Sequence, residues 1–151
     1  MTSTNSTLEG LPTDLVLACS RFSRLAARRA DVGVSSVTWR ITATLARFGE
    51  MRVSELATRE QVSRPTTTAT LKRLEEEGLI VRRADPDDAR STFVSLTLYG
   101  RQRLSQWYVA LDASVEGLIS DFPADDRAVL ARAAEILART VDSAEGDPTA
   151  L

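Results

Sequence analysis

Between Ser63 and Arg73 the chain crowds short hydroxyls and cations together: Ser63, Arg64, Thr66, Thr67, Thr68, Lys72 and Arg73. Side chains of this size offer donors, acceptors and methyl groups that can read base edges in the major groove of duplex DNA. Glu75, Glu76 and Glu77 follow at the far end, where they would point away from phosphates. Further on, Arg83 and Arg90 flank a polar turn, Asp85-Pro86-Asp87-Asp88-Ala89. A guanidinium at such a turn suits a phosphate or a narrow minor groove. Upstream, Ser36 and Arg40 stand near the start of another helical stretch, where backbone amides attract phosphate.

Each grouping also has a plainer reading. Ser63–Arg73 suits an ordinary capped surface helix. Arg90 suits pairing with Asp88 to stiffen the turn. Arg82 and Arg83 alternate on a strand, so at most one of them faces a phosphate. Ser36, Thr38 and Arg40 suit a helix cap and its solvated surface. Asp85, Asp87 and Asp88 would hold a divalent cation only if further oxygen ligands converged on them.

Much other chemistry is excluded by composition, although an enzyme built on a carboxylate pair stays open. The 151 residues contain no His and one Cys, Cys19. No Ser-His or Cys-His nucleophile, His-ligated metal or Cys-cluster metal can be built. An intrachain disulfide is impossible, which fits a reducing compartment. The net charge is −2, unevenly spread. Residues 1–50 carry six Arg against four acids, and residues 51–103 carry nine Arg and Lys72 against eight. Residues 104–151 carry three Arg against nine acids. A weakly basic middle beside an acidic end suits one face for an anionic partner. The chain shows no signal-peptide pattern, and apolar runs such as Leu15–Cys19 fall far short of a membrane span. A single cytoplasmic domain with no cofactor and no membrane is expected.

The elements that must position these residues follow from periodicity. Residues 1–7 and 145–151 read as loose ends. Leu11, Leu15, Phe22 and Leu25 form the stripe of a helix over Pro12–Ala30. Ser35 or Ser36 caps a second helix to Arg47, striped by Val37, Ile41 and Leu45. Met51–Val53 is extended. Ser54 caps a short helix to Arg59, and Ser63 caps another, with Pro65 in its first turn and Gly78 at its end. Leu79–Ala84 and Thr92–Leu96 form a two-stranded ribbon. Thr97 caps a long helix with a heptad seam at Leu104, Tyr108, Leu111, Val115 and Leu118. A last helix covers Asp125–Asp142, with Val129, Ala133, Ile136, Leu137 and Val141 on one side. The fold class is mainly α with a small β-wing. Residues 35–103 form a winged helix-turn-helix lobe, and residues 11–30 and 104–145 form a helical dimerisation region.

Several motifs in this order resemble one family. Val62-Ser63-Arg64-Pro65-Thr66, Arg73-Leu74-Glu75, Gly78-Leu79-Ile80 and Arg82-Arg83 are similar to the multiple antibiotic resistance regulator (MarR) family. So are Asp88-Ala89-Arg90, Leu96-Thr97-Leu98-Tyr99-Gly100-Arg101, Trp39 and Leu56-Ala57. The resemblance covers nearly the whole chain. It implies a homodimeric, ligand-responsive regulator, usually a repressor, bound to double-stranded DNA at a pseudo-palindrome. It also implies dimerisation through the first, fifth and sixth helices, and a wing Arg in the minor groove. Ala69, Thr70 and Ala89 depart from the family pattern, which bears on the operator sequence.

The resemblance further implies a small effector, aromatic or lipophilic. Phe22, Trp39, Met51, Trp107 and Tyr108 are the residues that would line its pocket, or else plain core. Cys19 falls one turn after the position of the reactive Cys in the peroxide-sensing branch, which favours a packing role. The alternative function is a winged-helix module that recruits a protein partner without binding DNA.

Overall fold

A computed structural model of the chain describes residues 10–88 and 90–146. Of the expected loose ends at 1–7 and 145–151, residues 1–7 and 147–151 lie outside the described residues, as does the wing position Ala89, while 145 and 146 close the last helix. Two compact units divide the chain, one ending at Ser114 and the other starting at Val115.

The first unit holds α1 (Leu11–Ala30), α2 (Ser36–Phe48), β1 (Met51–Arg52), α3 (Val53–Arg59), α4 (Arg64–Glu76), β2 (Ile80–Ala84) and β3 (Thr92–Leu96). Most of α5 (Leu98–Ile119) belongs to it as well. The sheet is antiparallel, in the order β1-β3-β2. Its core is Ile41, Leu45, Leu56, Leu71, Leu74, Val94, Leu104 and Trp107, with Met51, Leu79, Ile80 and Leu96 around them. Each fully buried Leu or Ile here contributes roughly 1.5–3 kcal/mol. This apolar centre fixes α4 against the wing.

Local chemistry accounts for the boundaries. The Ser35 hydroxyl accepts the Thr38 N–H and starts α2. Ser63 accepts the Thr66 N–H and starts α4, with Pro65 in the first turn, where no amide is needed. Thr97 Oγ1 accepts the Gly100 N–H at the start of α5. Gly49 and Gly78 have φ of 81° and 72°, so the chain reverses there without a Cβ penalty.

The structure corrects three expectations. Helix α3 begins at Val53, so Ser54 lies inside its first turn and Arg52 is the cap residue. The ribbon has a third strand, because Met51 pairs with Val94 and buries its side chain. In α5 the inward positions are Gly100, Leu104 and Trp107, while Tyr108 on the expected seam is exposed.

The second unit holds the end of α5 and α6 (Ala124–Gly146). Arg127 bonds Glu116 at 3.0 Å within it. Val129, Leu130, Ile136, Leu137 and Val141 of α6 are exposed. In the first unit, Leu11, Leu15, Val16, Leu17 and Phe22 of α1 are exposed likewise. No helix among the described residues is long and apolar enough to cross a membrane.

Candidate nucleic-acid interface

Helix α4 has two faces. Thr67, Leu71 and Leu74 point into the lobe and are buried. Arg64, Thr68 and Lys72 step by four along a stripe beside the buried one and are exposed, as are Ser63 and Thr66 on its other flank. Ser63 Oγ and Thr66 Oγ1 lie 2.9 Å apart, so the first turn presents a joined pair of hydroxyls. Lys72 leans toward Glu76 at 3.8 Å, an exposed pair that holds it loosely.

Thr67 is a correction. Its side chain is 1% exposed, and its hydroxyl donates to Ser63 O at 3.1 Å. It stabilises the first turn and stays almost wholly buried at the floor of the cavity it shares with Thr68. Its spacing of four and seven residues before Leu71 and Leu74 already carried that signal.

Most wing cations are held by the protein. Arg83 Nη2 donates to Glu50 at 2.6 Å, and its guanidinium covers the Phe93 ring at 4.8 Å. The hydrogen bond lowers the Glu50 carboxyl below its ordinary range and raises Arg83. Arg83 is therefore engaged at the wing base, in a pair that leaves its side chain half exposed. Arg82 pairs with Glu75 at 3.1 Å. Arg52, which no sequence motif marks, donates to buried Asp85 at 2.8 Å and lies over the Phe93 ring as well.

The acidic turn is consumed internally. Asp85 accepts the Asp87 N–H at 3.0 Å as well as Arg52, and these bonds hold its carboxyl below the usual range despite burial. Asp88 accepts from the Ser91 hydroxyl and the Arg90 N–H, with the same effect on its carboxyl. No group of three potential metal ligands exists among the described residues.

Arg64 and Arg90 differ from the other cations. Among the described residues, neither side chain has a hydrogen-bond or ion-pair partner. Both line one open cavity of about 480 Å³ between α4 and the wing, with Ser54, Thr68, Arg82 and Ser91. Arg90 does not pair with Asp88 through its side chain; only its amide does.

The α2 start is a further correction. Arg40 donates to the Glu60 carboxylate at 2.9 Å and to the Glu60 carbonyl at 2.7 Å. Thr44 also bonds that carboxylate. Arg40 thus clamps the α3–α4 turn, where Gln61 takes φ of 50°, while its side chain stays half exposed. Ser36 is exposed at the first position of α2, with Ser35 as the cap. Arg73 is likewise engaged: its Nη2 donates to buried Thr38.

The aromatic group separates. Met51 and Trp107 are core residues, 4% and 3% exposed. Trp39 stacks on Trp107 at 6.2 Å and meets the Tyr108 edge at 5.3 Å. A second cavity of about 580 Å³ is lined by Ser23, Arg28, Val34, Ser35, Trp39 and Leu111, among others. Trp39 is the one expected pocket residue that lines it. Phe22 lies in a shallow cleft with Arg21, Arg24 and Arg28. Cys19 is exposed on α1 rather than packed.

Comparison with known proteins gives the family. Residues 34–92 match the MarR family. The uncharacterized HTH-type transcriptional regulator YwoH of Bacillus subtilis (strain 168) is 30% identical over 118 residues, covering 75% of this chain and 85% of that protein. The homoprotocatechuate degradative operon repressor of Escherichia coli is 30% identical over 87 residues, 58% of this chain and 59% of that one. The crystal structure of wild-type MarR from E. coli, in its apo form, superposes with a TM-score of 0.73 at 21% identity, over 87% of this chain and 95% of that one. The chain belongs to the MarR family as a DNA-binding transcriptional regulator, not an enzyme.

Proposed function

We propose that the chain is a homodimeric repressor that reads a pseudo-palindromic operator and is released by a small ligand. The observation that carries the DNA contacts is the pair of unpartnered cations, Arg64 and Arg90, which line one cavity with exposed Thr68. In this reading Ser63, Thr66 and Thr68 meet base edges, Lys72 and Arg64 meet the backbone, and Arg90 enters the minor groove or meets a phosphate. Two copies related by a two-fold axis would set their α4 helices roughly 34 Å apart, one turn of DNA. The exposed apolar residues of α1 and of α6 support self-association, since monomers rarely leave such faces uncovered. The repressor named for homoprotocatechuate degradation supports the sign of regulation.

The test is fluorescence anisotropy on a duplex selected by the protein from a random pool, and on its scrambled counterpart, across a salt series. Arg90→Ala is expected to weaken both duplexes and to flatten the salt slope by ~0.9 for each phosphate it no longer neutralises. Thr68→Ala is expected to weaken the selected duplex alone. Equal weakening of both duplexes by Thr68→Ala would overturn the base-reading role of α4.

For the ligand, the cavity beside Trp39 supports a planar aromatic or lipophilic effector, with Arg28 as the cation for an acidic group. Binding is expected to quench Trp39 and to change DNA affinity by roughly 5–150-fold, the usual range of allosteric coupling. A broad panel of aromatic acids and lipophilic compounds that alters neither fluorescence nor affinity would remove this part of the proposal.

A further inference from the structure

Arg73 leaves the outward face of α4 and reaches across to α2. Its Nη2 donates to Thr38 Oγ1 at 2.5 Å. Thr38 is fully buried in the first turn of α2. The same hydroxyl lies 3.0 Å from Ser35 Oγ, which accepts the Thr38 N–H at 3.1 Å. Nε of Arg73 lies 3.5 Å from Glu77 Oε1. Two of its three nitrogens are therefore directed at protein partners.

We infer that Arg73 and Thr38 form a strut that sets the orientation of α4 on α2, so that Arg73 positions the DNA-reading face without touching DNA. The lobe-facing side of α4 is narrow, with Thr67, Leu71 and Leu74 as its buried residues. The hydrophobic driving force on these side chains is itself non-directional. A bond from an ionised donor is directional and about twice as strong as a neutral one. Arg73 lies nine residues after Arg64, or roughly 13 Å along the helix axis at 1.5 Å per residue. A tilt of about 5° around the strut, taken as an order-of-magnitude case, moves the start of α4 by about 1 Å, enough to spoil hydrogen bonds to base edges. Ser35, bonded to Thr38, lines the cavity beside Trp39. The inference stands on DNA binding alone and does not need the effector.

The test uses Arg73→Met, Thr38→Val, the double variant and Thr38→Ser in the full chain. Urea unfolding without DNA comes first. The two single changes are expected to be non-additive, because each removes the same bond. Anisotropy then compares the selected duplex with its scrambled counterpart across salt. Arg73→Met and Thr38→Val are each expected to weaken binding of the selected duplex about tenfold, equivalent to ~1.4 kcal/mol. The double variant is expected to be no weaker than either single one, with scrambled binding and the salt slope unchanged. Thr38→Ser keeps the hydroxyl and is expected to bind as wild type.

Additive unfolding energies would overturn the strut. So would an Arg73→Met variant that weakens both duplexes and lowers the salt slope by ~0.9 or more, the mark of a phosphate contact. Arg73 is half exposed, so Arg73→Met is expected to fold and to decide the matter by its salt slope even if Thr38→Val does not fold. Failure of the wild type to bind any duplex is a separate result that refutes DNA binding itself.

Discussion

Gly100 lies buried in the first turn of α5, against the turn that joins α4 to β2. A Cβ there would stand 2.0 Å from the Leu79 carbonyl oxygen and 2.9 Å from its carbon. Carbon and oxygen in contact settle near ~3.3 Å, so Gly100→Ala forces the two backbones about 1.3 Å apart. Neither atom is the tip of a flexible side chain. That retreat breaks a clamp in which Thr97 N donates to Leu79 O at 3.0 Å and Thr97 Oγ1 to Gly78 O at 2.7 Å. Overpacking costs about 1–3 kcal/mol. Each broken hydrogen bond costs about 1 kcal/mol. The helix propensity of Ala returns up to ~1 kcal/mol. The net destabilisation is about 2–4 kcal/mol, and at ~2–4 °C per kcal/mol the melting temperature falls by roughly 5–15 °C. Gly117→Ala in the same helix is the control. Nothing lies within 4 Å of its Cβ position, so it gains ~0.5–1 kcal/mol. Thermal unfolding followed by circular dichroism at one protein concentration reads both. Gly100→Ala melting within about 2 °C of wild type, or the two variants shifting in the same direction, would refute the close approach.

Three other perturbations probe the same molecule. The Asp85 carboxyl is lowered in the folded state, first by the Asp87 N–H and then by Arg52, so its contribution is full above the ordinary value of about 3.9 and is lost as pH falls through the folded value. Urea midpoints are expected to drop on that acid limb, and Asp85→Asn is expected to flatten the drop; an unchanged limb in the variant would refute the assignment. Thr67→Val keeps the buried shape and is expected to leave affinity for the selected duplex within about twofold, under ~0.5 kcal/mol, by anisotropy. Ile136→Glu on the exposed stripe of α6 is expected to shift sedimentation from dimer to monomer, since obligate interfaces bury upward of ~2,000 Å² of mostly apolar surface.

Much of the fold is legible in the sequence because it rests on local chemistry. Ser35 and Ser63 as caps, Pro65 in a first turn and Gly49 and Gly78 as stops are one-dimensional signals that act within a few residues. Strand β3 begins and ends where alternation puts it, at Thr92 and Leu96. The start of α3 departs from its local signal. Ser54 is a good cap by type, but pairing of Arg52 with Phe93 carries the extended chain only to the residue before Val53. Strand β1 itself shows in the sequence only as an extended piece, since two residues carry no periodicity.

The candidate site divides along the same line. The sequence by itself determined that hydroxyls and cations concentrate on one helix and one turn, because residue type and helical period need no partner. Which cations remain available was decided by tertiary structure alone. Arg40, Arg73 and Arg83 carry the same charge as Arg64 and Arg90, yet they are turned to Glu60, Thr38 and Glu50. Those partners lie 20, 35 and 33 residues away in the chain. A guanidinium on a long stem reaches whatever acceptor folding brings near it, and that proximity is written in the packing of α2, α4 and the sheet rather than in any local run of residues.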